Sequence, residues 1–112
     1  MKRIIDGKKY DTDTAECLLR HEWKTHHPNI LGGSPTVDHV RAIYRTKNGK
    51  LFAYTYEESG YGRDRNGVSG TYYRRTEDID PLGGNADAVA WAEEQSCFDV
   101  DEIEKHFEVD EA

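Results

Sequence analysis

Alternation and helical spacing of apolar positions divide the chain into short elements separated by strong turn signals. Arg3-Ile4-Ile5 and Lys8-Lys9-Tyr10 flank Asp6-Gly7, a pair suited to a type I′ turn, and predict an opening hairpin. Asp13 followed by Glu16 resembles a capping box, and Ala15, Leu18, Leu19 and Trp23 then recur at helical spacing. That spacing predicts a first helix ending at His26-His27-Pro28, with residues 28–36 as a loop. Asn48-Gly49 is the strongest turn signal and predicts a hairpin over about residues 38–58.

A two-residue turn there would oppose Tyr44 to Ala53 and Ala42 to Thr55, with Val40 and Leu51 on the same small apolar face. The other face would then mix Arg41, Ile43 and Arg45 with Phe52, Tyr54 and Tyr56. Residues 57–75 are rich in Gly and Arg, predicting a mobile Gly/Arg/Tyr-rich loop over about 59–70 and a return to the sheet near Thr71–Arg75. A further strand is expected around Ile79, ahead of Pro81. Asn85 can cap a helix carrying Ala88, Trp91 and Ala92 on one face. Asp99 and Glu102 form a second capping box ahead of Val100, Ile103 and Phe107. These elements predict a single α+β domain over residues 1–112, a small antiparallel sheet of hairpins with helices packed on one face.

Composition changes the picture through charge. The 112 residues carry a net charge of −7 and a mean hydropathy of −0.91, with 12 aromatic residues to form a core. Residues 1–75 hold 14 Lys and Arg against nine Asp and Glu, a net of +5. Residues 76–112 hold 13 Asp and Glu against Lys105 alone, a net of −12. An acidic end over about residues 85–112 repels nucleic-acid phosphate, so no direct DNA binding is expected through it. The same surface attracts proteins whose task is to bind nucleic acid. No apolar run approaches the roughly 18 residues of a membrane span, and Met1-Lys2-Arg3 leads into no signal-peptide core. A cytoplasmic protein with reduced Cys17 and Cys97 and no membrane contact is the expectation.

Candidate chemistry is sparse. Cys17 and His21 stand four apart on the predicted helix, with His26 and His27 beyond, but no second ligand pair follows, so no metal or cofactor is expected. Cys17 beside His21, or Cys97 beside His106, is the only candidate for nucleophilic catalysis. No nucleophile elbow, phosphate-binding loop or zinc-protease motif occurs, so no enzyme activity is expected.

Carboxylates on a rigid helix can imitate duplex phosphate, which places a charge about every 1.7 Å of axis. The candidate partner-binding residues are therefore Asp99, Asp101, Glu102, Glu104 and Glu108, with Tyr61, Arg63 and Arg65 of the loop as a second contact.

The opening Lys2–Thr12, the hairpin segment Ile43–Phe52, Ala90-Trp91-Ala92-Glu93-Glu94 and the helix with Asp101-Glu102 resemble a family of short proteins from bacterial phages and mobile elements. The resemblance spans most of the chain apart from residues 24–38 and 57–76. It is similar in kind to anti-CRISPR and other anti-defence inhibitors. It implies a non-enzymatic protein that binds a host defence complex with a basic nucleic-acid-binding surface, such as a CRISPR–Cas effector, and it brings no catalytic residues. The alternative is a small nucleic-acid-associated regulator using the Arg/aromatic hairpin face.

Overall fold

Asp6 and Gly7 both adopt positive φ, 51° and 75°, and join β1 (Lys2–Ile5) to β2 (Lys8–Asp11) as their residue types require. The computed structural model describes residues 1–26, 36–60 and 73–109. Four longer strands follow: β3 (Glu16–His26), β4 (Thr36–Arg45), β5 (Leu51–Gly60) and β6 (Tyr73–Leu82). They pair in sequence order as an antiparallel meander, and α1 (Asn85–Gln95) and α2 (Val100–His106) close the chain. The architecture is α+β, as the sequence predicts. The expected loop over 59–70 falls largely on residues outside those described.

The first predicted helix is a strand. Helical spacing of Ala15, Leu18, Leu19 and Trp23 competes with a period-two pattern, in which Arg20, Glu22 and Lys24 alternate with Leu19, His21 and Trp23. Pairing settles the competition, because β4 offers β3 a continuous ladder from Glu16↔Arg45 to His26↔Thr36. Asp13 caps no helix; its N–H donates to Asp11 Oδ1 (2.9 Å) in a tight turn. A bulge between Cys17 and Leu19 lets both Leu18 and Leu19 pack toward the helices.

The Asn48-Gly49 turn forms where predicted, with a different length. Thr46 N–H donates to Lys50 O (2.8 Å), Gly49 N–H donates to Thr46 O (2.9 Å), and Gly49 takes φ +83°. The loop is therefore three residues, a tight turn followed by a left-handed glycine. Tyr44 consequently opposes Phe52, not Ala53, and this one-residue shift sends every β5 side chain to the opposite face. Phe52, Tyr54 and Tyr56 join Val40, Ala42 and Tyr44, while Ala53 joins Ile43. The mixed Arg/aromatic face is thereby overturned.

Each sheet face carries one core. On the first, Tyr10 of the small hairpin packs edge-on against Phe52, which stacks on Tyr44 at 5.4 Å between ring centroids. Arg3 ties the hairpin to β6 through Asp78. On the second, Leu19 and Ile43 meet Ala88, Ala92, Phe98, Ile103 and Phe107. Ala88 and Ala92 are fully buried, so α1 presents methyl groups where it rests on the sheet. Pro81 lies in β6, an edge strand, where the missing N–H breaks no central ladder.

Candidate partner-binding surface

The acidic end folds as two short helices locked to each other. Asp99 caps α2 as predicted, its Oδ1 accepting from Glu102 N–H (2.8 Å), which satisfies a free donor of the first turn. Asn85 acts differently from the expected cap. Its side-chain amide donates to Glu108 O (2.8 Å) and its Oδ1 accepts from Glu108 N–H (3.1 Å), tying the end of α2 to the start of α1. Ile103 and Phe107 face the core, whereas Val100, expected inside, is exposed.

This packing leaves the acidic side chains outward. Residues 85–109 carry eight carboxylates (Asp87, Glu93, Glu94, Asp99, Asp101, Glu102, Glu104 and Glu108) and one Lys or Arg, Lys105. Seven of the eight residues are exposed and Glu102 is half-buried. Among the described residues none of the eight takes an ion pair. The described arginine side chains are spent elsewhere: Arg3 on Asp78, Arg20 on Glu22, Arg41 on Glu57, Arg45 on Glu16 and Arg75 on Glu77. The acidic helices are thus not neutralised by the described basic half. Tyr61, Arg63 and Arg65 lie outside the described residues.

The strand conformation of β3 also dissolves the predicted Cys17/His21 pair. Cys17 opposes Tyr44 on the hairpin side of the sheet, and His21 opposes Arg41 on the helix side. Partial desolvation pushes both the Cys17 and Cys97 thiols up, with Arg20 acting the other way at the exposed Cys17. Neither thiol hydrogen-bonds a histidine among the described residues. His27 lies outside the described residues.

Sequence reasoning missed one polar cluster. On the helix side of the four-stranded sheet, Thr25 Oγ1 lies 3.0 Å from His39 Nε2, and His39 Nδ1 lies 3.4 Å from Glu57 Oε1. The His39 ring stacks on Trp23 (4.9 Å), and Arg41 lies over the same indole. The hydroxyl–imidazole–carboxylate order is that of a nucleophile relay, but Arg41 Nη2 already donates to Glu57 Oε1 at 2.6 Å. Glu57 Oε1 is thus shared between Arg41 and His39, and the cluster ties β3, β4 and β5 together. Only the register brings these residues of three strands together, so no local motif could have revealed them.

The cluster carries a pH signature. The Arg41 guanidinium hydrogen-bonded to Glu57 holds its carboxyl below the usual range, partial burial acts the other way, and His39 reinforces the lowering. A pKa lower in the folded chain contributes stability that is present above the unfolded value, about 4.3, and is lost as pH falls through the folded one. Glu57→Gln is expected to cost less than about 1 kcal/mol at neutral pH, because the pair is partly solvated. Urea unfolding from neutral pH down into the acid limb should show the two proteins converging below about pH 4.

No protein-family model, curated protein or solved structure matches this chain, so its function is argued from the surface itself.

Proposed function

We propose that this chain is a non-enzymatic binding protein of a bacterial phage or mobile element that inhibits a host defence complex in the cytoplasm, a CRISPR–Cas effector being the leading example. The carrying observation is the layer of eight carboxylates on and around α1 and α2, without an ion-pair partner among the described residues. Asp99, Asp101, Glu102, Glu104 and Glu108 are the proposed contacts for Lys and Arg on the effector, in the place of nucleic-acid phosphate. The Asp99 cap and the Asn85 clamp hold these groups on a fixed frame, so little conformational freedom is lost on binding. The regulator alternative draws less support, because the register divides its arginines and aromatics between two faces.

Immobilised protein exposed to a bacterial lysate tests the proposal. The expected captive is a nucleic-acid-binding protein released by duplex DNA and by raising salt, since surface attraction is screened within about 8 Å at physiological ionic strength. Capture indifferent to both DNA competitor and salt would remove the electrostatic reading.

A further inference from the structure

The structure holds a second charged feature of opposite sign. A cleft of about 450 Å³ opens between the β1–β2 hairpin and the β4–β5 turn, lined by Lys8, Lys9, Lys47 and Lys50 together with Thr14 and Asn48. Its size falls in the range of small-ligand sites, roughly 300–1,000 Å³. None of the four lysines has an ion-pair partner among the described residues, in contrast to the described arginine side chains, all of which do. Asp11 also lines the cleft; it is buried, and its Oδ1 is engaged by Asp13 N–H. Lys8 projects on the sheet-facing side of β2 with Tyr10, and Lys9 on its other side, so the lysines border the cleft from both sides of the strand, against one lining carboxylate, Asp11.

Both walls are fixed by the fold. Tyr10 packs against Phe52, and Thr12 N–H donates to Met1 O (2.9 Å), so the hairpin wall is anchored to the core. The turn wall is set by Gly49 at φ +83° and by Lys50 N–H donating to Thr46 Oγ1 (3.0 Å). The hairpin packs on one sheet face and the acidic helices on the other, so the helix carboxylates do not oppose an anion entering here, and Glu16, which borders an adjoining recess with Thr14, Thr46 and Lys47, is paired with Arg45.

We infer that this cleft binds a small polyphosphorylated ligand, its phosphate chain lying among Lys8, Lys9, Lys47 and Lys50. Ammonium groups are compact charges with rotatable donors, suited to phosphate oxygens that present no single plane. Several cations around one cavity match a chain of two or three phosphates better than a single carboxylate. The inference is independent of the acidic-helix proposal and tests a different surface.

Backbone-amide NMR of the full chain, titrated with inorganic tripolyphosphate and separately with ATP, decides it. Saturable shifts at Lys8, Lys9, Lys47 and Lys50 are expected, weakening about tenfold or more as salt rises from roughly 50 to 200 mM. Lys9→Glu/Lys47→Glu should weaken binding at least about 30-fold, and the second pair Lys8→Glu/Lys50→Glu should do the same, while Lys105→Glu on α2 changes nothing. Equal affinity for the two probes identifies the phosphate chain as the recognised part, and tighter ATP binding identifies a nucleotide. Non-saturating shifts, shifts spread equally over Lys2 and Lys24, or indifference to both double variants in folded protein overturns the site. A dodecamer of thymidine bound more than about tenfold tighter than ATP, with shifts beyond the cleft, overturns the small-ligand class.

Discussion

Phe52→Ala is expected to destabilise the protein by about 3–5 kcal/mol, the usual cost of deleting a fully buried aromatic ring. Phe52 is among the largest side chains with no exposure. It stacks on Tyr44 and receives Tyr10 at 5.5 Å, so its removal opens a cavity between the sheet and the small hairpin and unseats both. Domains of this size hold about 5–15 kcal/mol in total, so the loss consumes a large share. A fall in Tm of roughly 10–25 °C follows from the entropy of unfolding at this length. Urea unfolding gives the free energy directly, and an unchanged slope with a lowered midpoint identifies a loss of stability alone. The experiment also tests the register. Under a two-residue turn, Phe52 would instead lie on the face of Ile43 and Arg41, beneath the helices, and its removal would leave the packing of Tyr10 and Tyr44 beside the small hairpin untouched. Ala53→Asp is the complement: Ala53 is 1% exposed and would bring an unpaired carboxylate toward Ile43 and the helix layer.

That dependence on one turn explains how much of the fold was legible in the sequence. Asp6-Gly7 named its hairpin because both residues needed positive φ and nothing else competed. Asp99 named its helix because cap and first-turn donor are three residues apart, a purely local relation. Residues 16–26 form a strand where helical spacing predicts a helix, because their apolar positions fit two periods and only the distant partner β4 discriminates between them. Asn48-Gly49 located its turn but not its length, and that single residue moved Phe52, Tyr54 and Tyr56 across the sheet. The Thr25–His39–Glu57 cluster is hidden for the same reason, since its members are contributed by three strands. The acidic surface was legible because charge on an amphipathic helix needs only the inward positions, Ile103 and Phe107, to be identified. Its relation to Tyr61, Arg63 and Arg65 was not, since those residues lie outside the described part of the chain. The lysine cleft joins β2 to a turn some 40 residues later, and no local pattern links them.

Asp101→Lys/Glu104→Lys is expected to weaken binding to the captured basic partner by about 100-fold or more at low salt while leaving the fold intact. Both side chains are exposed, and neither takes an ion pair among the described residues, so their reversal breaks no internal bridge. Close charge pairs across an interface couple by about 1.5–7 kcal/mol, and reversal replaces each attraction with a repulsion. The helix itself pays something, because Asp101 lies in the first turn of α2, where a cation opposes the helix dipole by about 0.3–1 kcal/mol. Asp101→Asn/Glu104→Gln separates the two effects. It relieves most of the dipole penalty, removes the attraction without adding repulsion, and should fall between the parent and the reversed protein in affinity. Circular dichroism and Tm establish that α2 persists in both. The loss should shrink as salt rises, because exposed charges are screened, and should appear mainly in the association rate where steering dominates. Equal affinity of the parent and the reversed protein at low salt would place the interface elsewhere and return the acidic helices to the role of a solvated face.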